Sequence, residues 1–211
     1  MTLLVEVRDP CGLAEVVGRL GVPMQFSRDE EIHGQDEPVA RLFRVVRGVV
    51  RTSRVTIDGR RQIGEFYYAG DVFGLEPGPL HRFAAEALSD SEVAVVKRSA
   101  VLQAVGEAAF NAAILDATRR ELDMAQAHLL VLGRKSAVQR VASFLMGLAG
   151  RRAAGAVDLP MGRQDMADYL GLTIETVSRT LTQLQGDRVV EFASLRRFQV
   201  REWPALEALA A

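Results

Sequence analysis

Residues 163–185 read RQDMADYLGLTIETVSRTLTQLQ. Met166, Ala167 and Leu170 share one apolar helical face, and Gly171 breaks that helix. Thr173 is placed to cap a second helix, with Thr176 three residues on to support its first turn. Ile174, Val177, Leu181 and Leu184 then recur at helical spacing as the expected buried face. A small residue before a Gly turn, with a β-branched residue six beyond the Gly, suits two helices crossing at about 90–120°. Ala167 lets the helices approach, Gly171 makes the turn and Val177 fills the crossing. The pattern predicts a helix-turn-helix.

The outward face of the second helix is polar at its N-terminal end, with Glu175, Thr176, Ser178, Arg179 and Thr182. That is the end a reading helix inserts into the DNA major groove. An arginine there can donate to guanine O6 and N7 together, a glutamate can accept from cytosine N4, and a serine suits either edge. Glu175, Ser178 and Arg179 can each therefore meet a base edge. Thr173 and Thr176 lie where a helix N-terminus meets phosphate, and Arg163 opens the first helix. Residues 188–192 and 195–201 form two β-like runs around Ala193-Ser194 and predict a wing hairpin. Arg196 and Arg197 fall near its tip and complete the expected phosphate contacts. The competing account of Glu175 and Arg179 is a solvated i,i+4 ion pair.

Working outward, residues 107–132 contain no Pro and no Gly. Leu115, Leu122 and Leu129 repeat every seven residues, as do Thr118, Ala125 and Leu132 three positions on. That is an a/d seam over about three heptads, which favours a second helix as partner; the alternative is an amphipathic helix lying on its own sheet. Gly133 is the expected C-cap. A further helix is expected over 136–148, a basic connection over 150–155 and a short strand over 156–161.

Upstream, residues 22–96 carry short β-like runs between turns: 42–46, 49–57, 62–68, 81–88 and 92–97. Asp58-Gly59 marks a hairpin, and Leu88-Ser89-Asp90 separates the last two runs. Many short strands at regular spacing suggest a barrel, roll or sandwich. Tyr67 and Tyr68 are expected to be one buried and one exposed.

Composition narrows the class. Apolar residues make up 48% of 211 residues, enough for a sizeable core. No apolar run approaches the roughly 20 residues of a membrane span. The start, with Glu6, Arg8 and Asp9, does not read as a signal peptide, so a cytoplasmic protein is expected. The single cysteine, Cys11, makes neither an internal disulfide nor a cysteine-ligated cluster, and is expected to be a small buried hydrophobe. His33, His81 and His128 are scattered without metal-ligand spacing, and are expected at the surface. No nucleophile elbow, phosphate loop or dinucleotide fingerprint appears, so no enzyme activity and no cofactor are expected. Net charge is −1, and from Lys135 onward ten Lys/Arg stand against eight Asp/Glu. Local placement of a few arginines must carry any phosphate binding.

Taken together, these residues resemble the CRP/FNR superfamily of bacterial transcription regulators over about 22–200, closest to its FixK-like subgroup. Glu175-Thr176-Val177-Ser178-Arg179 is similar to the E-x-x-S-R signature of the FNR branch, whose Glu, Ser and Arg contact bases; the resemblance implies Glu175, Ser178 and Arg179 as the base readers. Gly70-Asp71-Val72-Phe73-Gly74 resembles the family's β-roll, and the phrases YYAGDVFGLE and EALSDSEVAVVKRS are similar to the FixK subgroup. The resemblance implies an α+β chain: a double-stranded, cupin-like β-roll of the cyclic-nucleotide-binding fold over 1–106, a dimerisation helix over 107–134 and a winged helix-turn-helix over 135–211. It implies a homodimer on double-stranded DNA, reading a palindrome with TTG and CAA ends, and activation through RNA polymerase.

The chain departs from that pattern in three places. Four cluster-ligating cysteines are absent. Some members hold a cyclic phosphate with an Arg-Ser pair after a Gly-Glu; here the region reads Gly70-Asp71 and then His81-Arg82-Phe83-Ala84, matching neither signature, and Arg82 is expected in a surface or interdomain salt bridge rather than on an anion. The redox-sensitive cysteine of some FixK-like members is Gly162 here. The sequence leaves any small-molecule effector unknown. The alternatives are a regulator gated by haem or cyclic nucleotide, with one histidine sufficing as an axial ligand, and a β-roll binding module whose C-terminal helices contact only protein.

Overall fold

The computed structural model describes residues 12–150 and 155–211; Cys11 and most of the expected 150–155 connection lie outside them. These residues form two compact units, one ending at Glu121 and the other beginning at Leu122.

The first unit is a roll of two antiparallel four-stranded sheets. Its strands are β1 (Val22–Phe26), β2 (Glu31–His33), β3 (Arg41–Arg47), β4 (Val49–Val55), β5 (Arg61–Tyr68), β6 (Val72–Phe73), β7 (Ala84–Ala87) and β8 (Ser91–Lys97). One sheet runs β1-β8-β3-β6 and the other β2-β7-β4-β5. Alternation along β7 and β8 sends Ala85, Ala87 and Val93 inward, where they meet Phe43, Val45, Val50 and Phe73. The hairpin at Asp58-Gly59 forms, with Gly59 at φ 77° and the Thr56 amide bonded to the Arg60 carbonyl at 2.9 Å. Gly48, between β3 and β4, is obligatory. Its φ is 90°, and a Cβ would lie 2.2 Å from Ser91 Oγ.

Two helices flank the roll within this unit, α1 (Leu13–Leu20) and α2 (Arg98–Val105). With the start of α3 (Glu107–Arg134) they close a second cluster of Leu13, Val17, Leu42, Val96, Val101, Phe110 and Ile114. The sequence reading missed α1, although Leu13, Val16, Val17 and Leu20 stand at i, i+3, i+4 and i+7. Gly133 does not end α3, which continues to Arg134. Tyr67 and Tyr68 are both half-buried, rather than one in and one out.

The histidines depart furthest from expectation. His33 and His81 are buried, and their rings stack with centroids 3.7 Å apart. His81 Nδ1 lies 3.1 Å from the Glu76 carboxylate. His128 is half-buried. The sequence could not bring residues 48 positions apart together. Among the described residues, no group of three His, Cys, Asp or Glu could hold a metal, and no helix is long and apolar enough to cross a membrane.

The second unit contains α4 (Ala137–Gly150), β9 (Val157–Asp158), α5 (Arg163–Leu170), α6 (Ile174–Gly186), β10 (Val190–Ser194), β11 (Arg197–Val200) and α7 (Trp203–Ala210). The three strands make one antiparallel sheet, β10-β11-β9. The unpredicted α7 starts with a proline in its first turn, packs on α4 and buries Leu206 and Ala210.

Candidate nucleic-acid interface

The helix-turn-helix forms where the spacing placed it. Met166, Ala167 and Leu170 are fully buried, with Tyr169 added to that face. The Asp165 carboxylate accepts from the Gly162 amide at 2.9 Å and caps the start of α5. Gly171 ends α5 in the left-handed conformation, with φ 60° and ψ 43°. Thr173 then caps α6, its Oγ1 accepting from the Thr176 amide at 3.2 Å. The two hydroxyls also lie 3.0 Å apart. Val177, Thr180, Leu181 and Leu184 are buried beneath α6, each apolar one contributing about 1.5–3 kcal/mol. Ile174, expected with them, is instead 38% exposed.

Burial of that back face fixes which side of α6 meets solvent. Glu175 and Arg179 are exposed and Ser178 is half-buried between them. Among the described residues the side chains of Glu175 and Arg179 enter no ion pair or hydrogen bond, with each other or with any neighbour. Both are left with their full donor and acceptor capacity for an outside ligand. Thr182, on the same face, instead donates to the Ser178 carbonyl at 3.0 Å.

The wing turns at Leu195-Arg196, two residues later than expected. A register shift between Phe192 and Ser194 inserts Ala193 as an extra residue in β10 and moves the tip. Arg196 donates to the Pro160 carbonyl. Arg197 Nε lies 3.8 Å from Asp158 Oδ1, both side chains more than half exposed. Arg163 has no such partner among the described residues. It borders a groove of about 360 Å³ between α6 and the wing, with Thr182, Gln185 and Ser194 on its polar rim. Thr182 was already placed on the outward face of α6 by its spacing; Gln185 and Ser194 were not singled out from the sequence, because the groove exists only once the wing folds against α6.

On α3 the heptad leucines face solvent: Leu115 is 53% exposed, Leu122 56% and Leu129 70%. Ala125 is exposed too, while Thr118 and Leu132 are half-buried. Thr118 Oγ1 is turned back to the Ile114 carbonyl at 2.8 Å.

In the roll, the segment weighed from the sequence as a place for a cyclic phosphate makes contacts of its own. Arg82 donates to the Glu121 carboxylate at 2.5 Å. Phe83 fills the space over Gly64, where a Cβ would come 3.0 Å from its ring. One oxygen of the Glu76 carboxylate, Oε1, meets His81 Nδ1, while Oε2 is buried without a hydrogen-bond partner among the described residues. Arg82 is the one Lys or Arg of residues 64–83, and among the described residues it is paired with Glu121.

Two family models match the chain, a cyclic nucleotide-binding domain over residues 23–107 and a Crp-like helix-turn-helix domain over 139–209. The nitrogen fixation regulation protein FixK of Azorhizobium caulinodans is 45% identical, across 93% of this chain and 82% of the relative. The transcriptional activatory protein AadR of Rhodopseudomonas palustris is 37% identical, across 82% and 74%. The solved structure of FixK2 from Bradyrhizobium japonicum superposes with a TM-score of 0.86 at 46% identity, covering 90% of this chain and 98% of that one.

Proposed function

Because this chain belongs to the CRP/FNR family of DNA-binding transcription regulators, we propose that it acts in the cytoplasm as a homodimeric activator, without enzymatic activity. Two copies pair along α3 through Leu115, Thr118, Leu122, Ala125, Leu129 and Leu132. Each presents one α6, about one DNA turn from the other, to a palindrome with TTG and CAA ends. Glu175, Ser178 and Arg179 read bases. Arg163, Thr173, Thr176, Arg196 and Arg197 meet phosphates. Residues 1–106 form the regulatory part, 107–134 the pairing helix and 135–211 the DNA-reading part. Activation proceeds by contact with RNA polymerase, a role supported by relatives named as activators.

The observation that carries this proposal is the state of Glu175 and Arg179. They are solvent-facing, unpaired among the described residues, and held on a helix whose opposite face is buried. An i,i+4 Glu–Arg pair at this spacing would stabilise the helix by only about 0.2–0.5 kcal/mol, so both side chains stay available to DNA at little cost. The pairing of Arg82 with Glu121 speaks against a need for cyclic nucleotide.

Fluorescence anisotropy on a labelled TTG…CAA duplex tests the proposal. Tight binding at low salt that weakens steeply with added salt, and that scrambled ends abolish, is the expected result. Equal affinity for scrambled ends would reject base reading by α6. No binding by the folded protein would favour C-terminal helices that contact only protein.

A further inference from the structure

One side chain joins the end of the long helix to the helix-turn-helix. Arg140 lies in the first turns of α4. Its Nε donates to the Lys135 carbonyl at 3.0 Å and its Nη2 to the Leu132 carbonyl at 2.7 Å. Its Nη1 donates to the carbonyls of Leu170 at 3.0 Å and Gly171 at 3.4 Å. Leu132 and Lys135 mark the C-terminal end of α3, and Leu170 and Gly171 that of α5. Helix C-termini leave carbonyls without intrahelical partners and carry partial negative charge. A guanidinium, permanently charged and with donors fixed in a planar fork, satisfies two such ends at once; an ammonium has no equivalent geometry.

A second link runs beside the first. His128, on α3, donates from Nε2 to the Tyr169 carbonyl at 2.8 Å, and its ring stacks on Tyr169 with centroids 4.4 Å apart. The turn itself is seated on α3: a Cβ at Gly171 would come 3.4 Å from Leu132 Cδ2. The reading helix α6 starts three residues beyond Gly171 and packs on both α5 and α4. Within this unit its position relative to the C-terminal turns of α3, from His128 to Arg134, is therefore held by these contacts.

We infer that Arg140, assisted by His128, is a positioning residue for DNA recognition, clamping the ends of α3 and α5 so that the dimer accepts only one half-site separation. This rests on the proposed dimeric reading of a palindrome. Arg140 touches no base in this scheme. It governs where the bases must be, while Glu175, Ser178 and Arg179 govern which bases they are.

The test compares the full-length protein with Arg140→Gln, Arg140→Lys and His128→Phe on duplexes whose half-sites stand at the preferred spacing or one base pair nearer or farther. Arg140→Gln is expected to lose about tenfold of the preference for one spacing. Its preference among half-site bases and its dimeric mass stay as in wild type. Arg140→Lys restores part of the preference. His128→Phe keeps the ring against Tyr169, removes one hydrogen bond, and shifts the preference less in the same direction. It supplies the test should Arg140→Gln fold poorly. Uniform weakening on every duplex with spacing preference intact would overturn the clamp and leave Arg140 a stabilising residue only. Wild-type protein that binds no palindrome would overturn both the clamp and the proposed function beneath it.

Discussion

His33 and His81 stack face to face inside the roll, ring centroids 3.7 Å apart and planes 20° from parallel. His33 is surrounded by Phe43 and Phe73, and the charged groups acting on it are His81, Glu76 and Glu37. Burial, reinforced by His81, lowers its pKa from 6.5 to about 4. The unfolded chain therefore holds the extra proton between those values, and stability falls as pH drops from about 6.5 toward 4. The shift corresponds to about 3 kcal/mol. Burial works to raise the Glu76 carboxyl, but its hydrogen bonds to His81 and to its own backbone outweigh that and hold it below the usual range. Its contribution is likewise lost on acidification. Thermal melting from pH 7.5 to 4.5 is expected to show this loss, and His33→Phe to flatten the profile. An unchanged slope in the variant would place the acid sensitivity elsewhere.

Arg179→Ala should cost about 1–3 kcal/mol of DNA binding and relax preference at one base step, since it removes one bidentate contact. Anisotropy titrations against duplexes substituted at single positions measure this. Uniform weakening across all substitutions would instead make Arg179 a phosphate contact.

Arg163→Ala should weaken every duplex alike and reduce the slope of log affinity against log salt by about one. Arg197→Ala should change the slope less, because Arg197 already faces Asp158. Titrations between low and moderate salt compare the two.

Leu122→Glu or Leu129→Glu should leave each chain folded, since both side chains are exposed within it, yet separate the dimer. Light scattering is expected to give the mass of one chain. Affinity for the palindrome should fall by about a hundredfold or more, as two linked half-sites become independent.

Local patterns were the legible part of this chain. Gly171, Thr173 and Val177 announced the helix-turn-helix because each acts through its immediate neighbours: a left-handed turn, a capped amide, a filled crossing. The heptad leucines and the hairpin at Gly59 were equally local. Long-range contacts were not legible. Nothing in the spacing of His33 and His81, or in that of Arg82 and Glu121, signals that they meet, because residues 48 and 39 positions apart are brought together only by the tertiary fold. Arg140 went unnoticed for the same reason: its acceptors are main-chain carbonyls, which every residue carries. The wing tip was misplaced by a single bulge residue, Ala193, invisible to a strict two-residue alternation. The short helix α7 was overlooked although Trp203-Pro204 carried the signal for its first turn.

The mass of the complex formed on one TTG…CAA duplex, measured by light scattering at low salt, bears most directly on paired presentation of α6. Two chains per duplex, reduced to free DNA when either end is scrambled and salt is raised, is the predicted result. A single chain bound as tightly as two, or a folded dimer that leaves the duplex free, would contradict it.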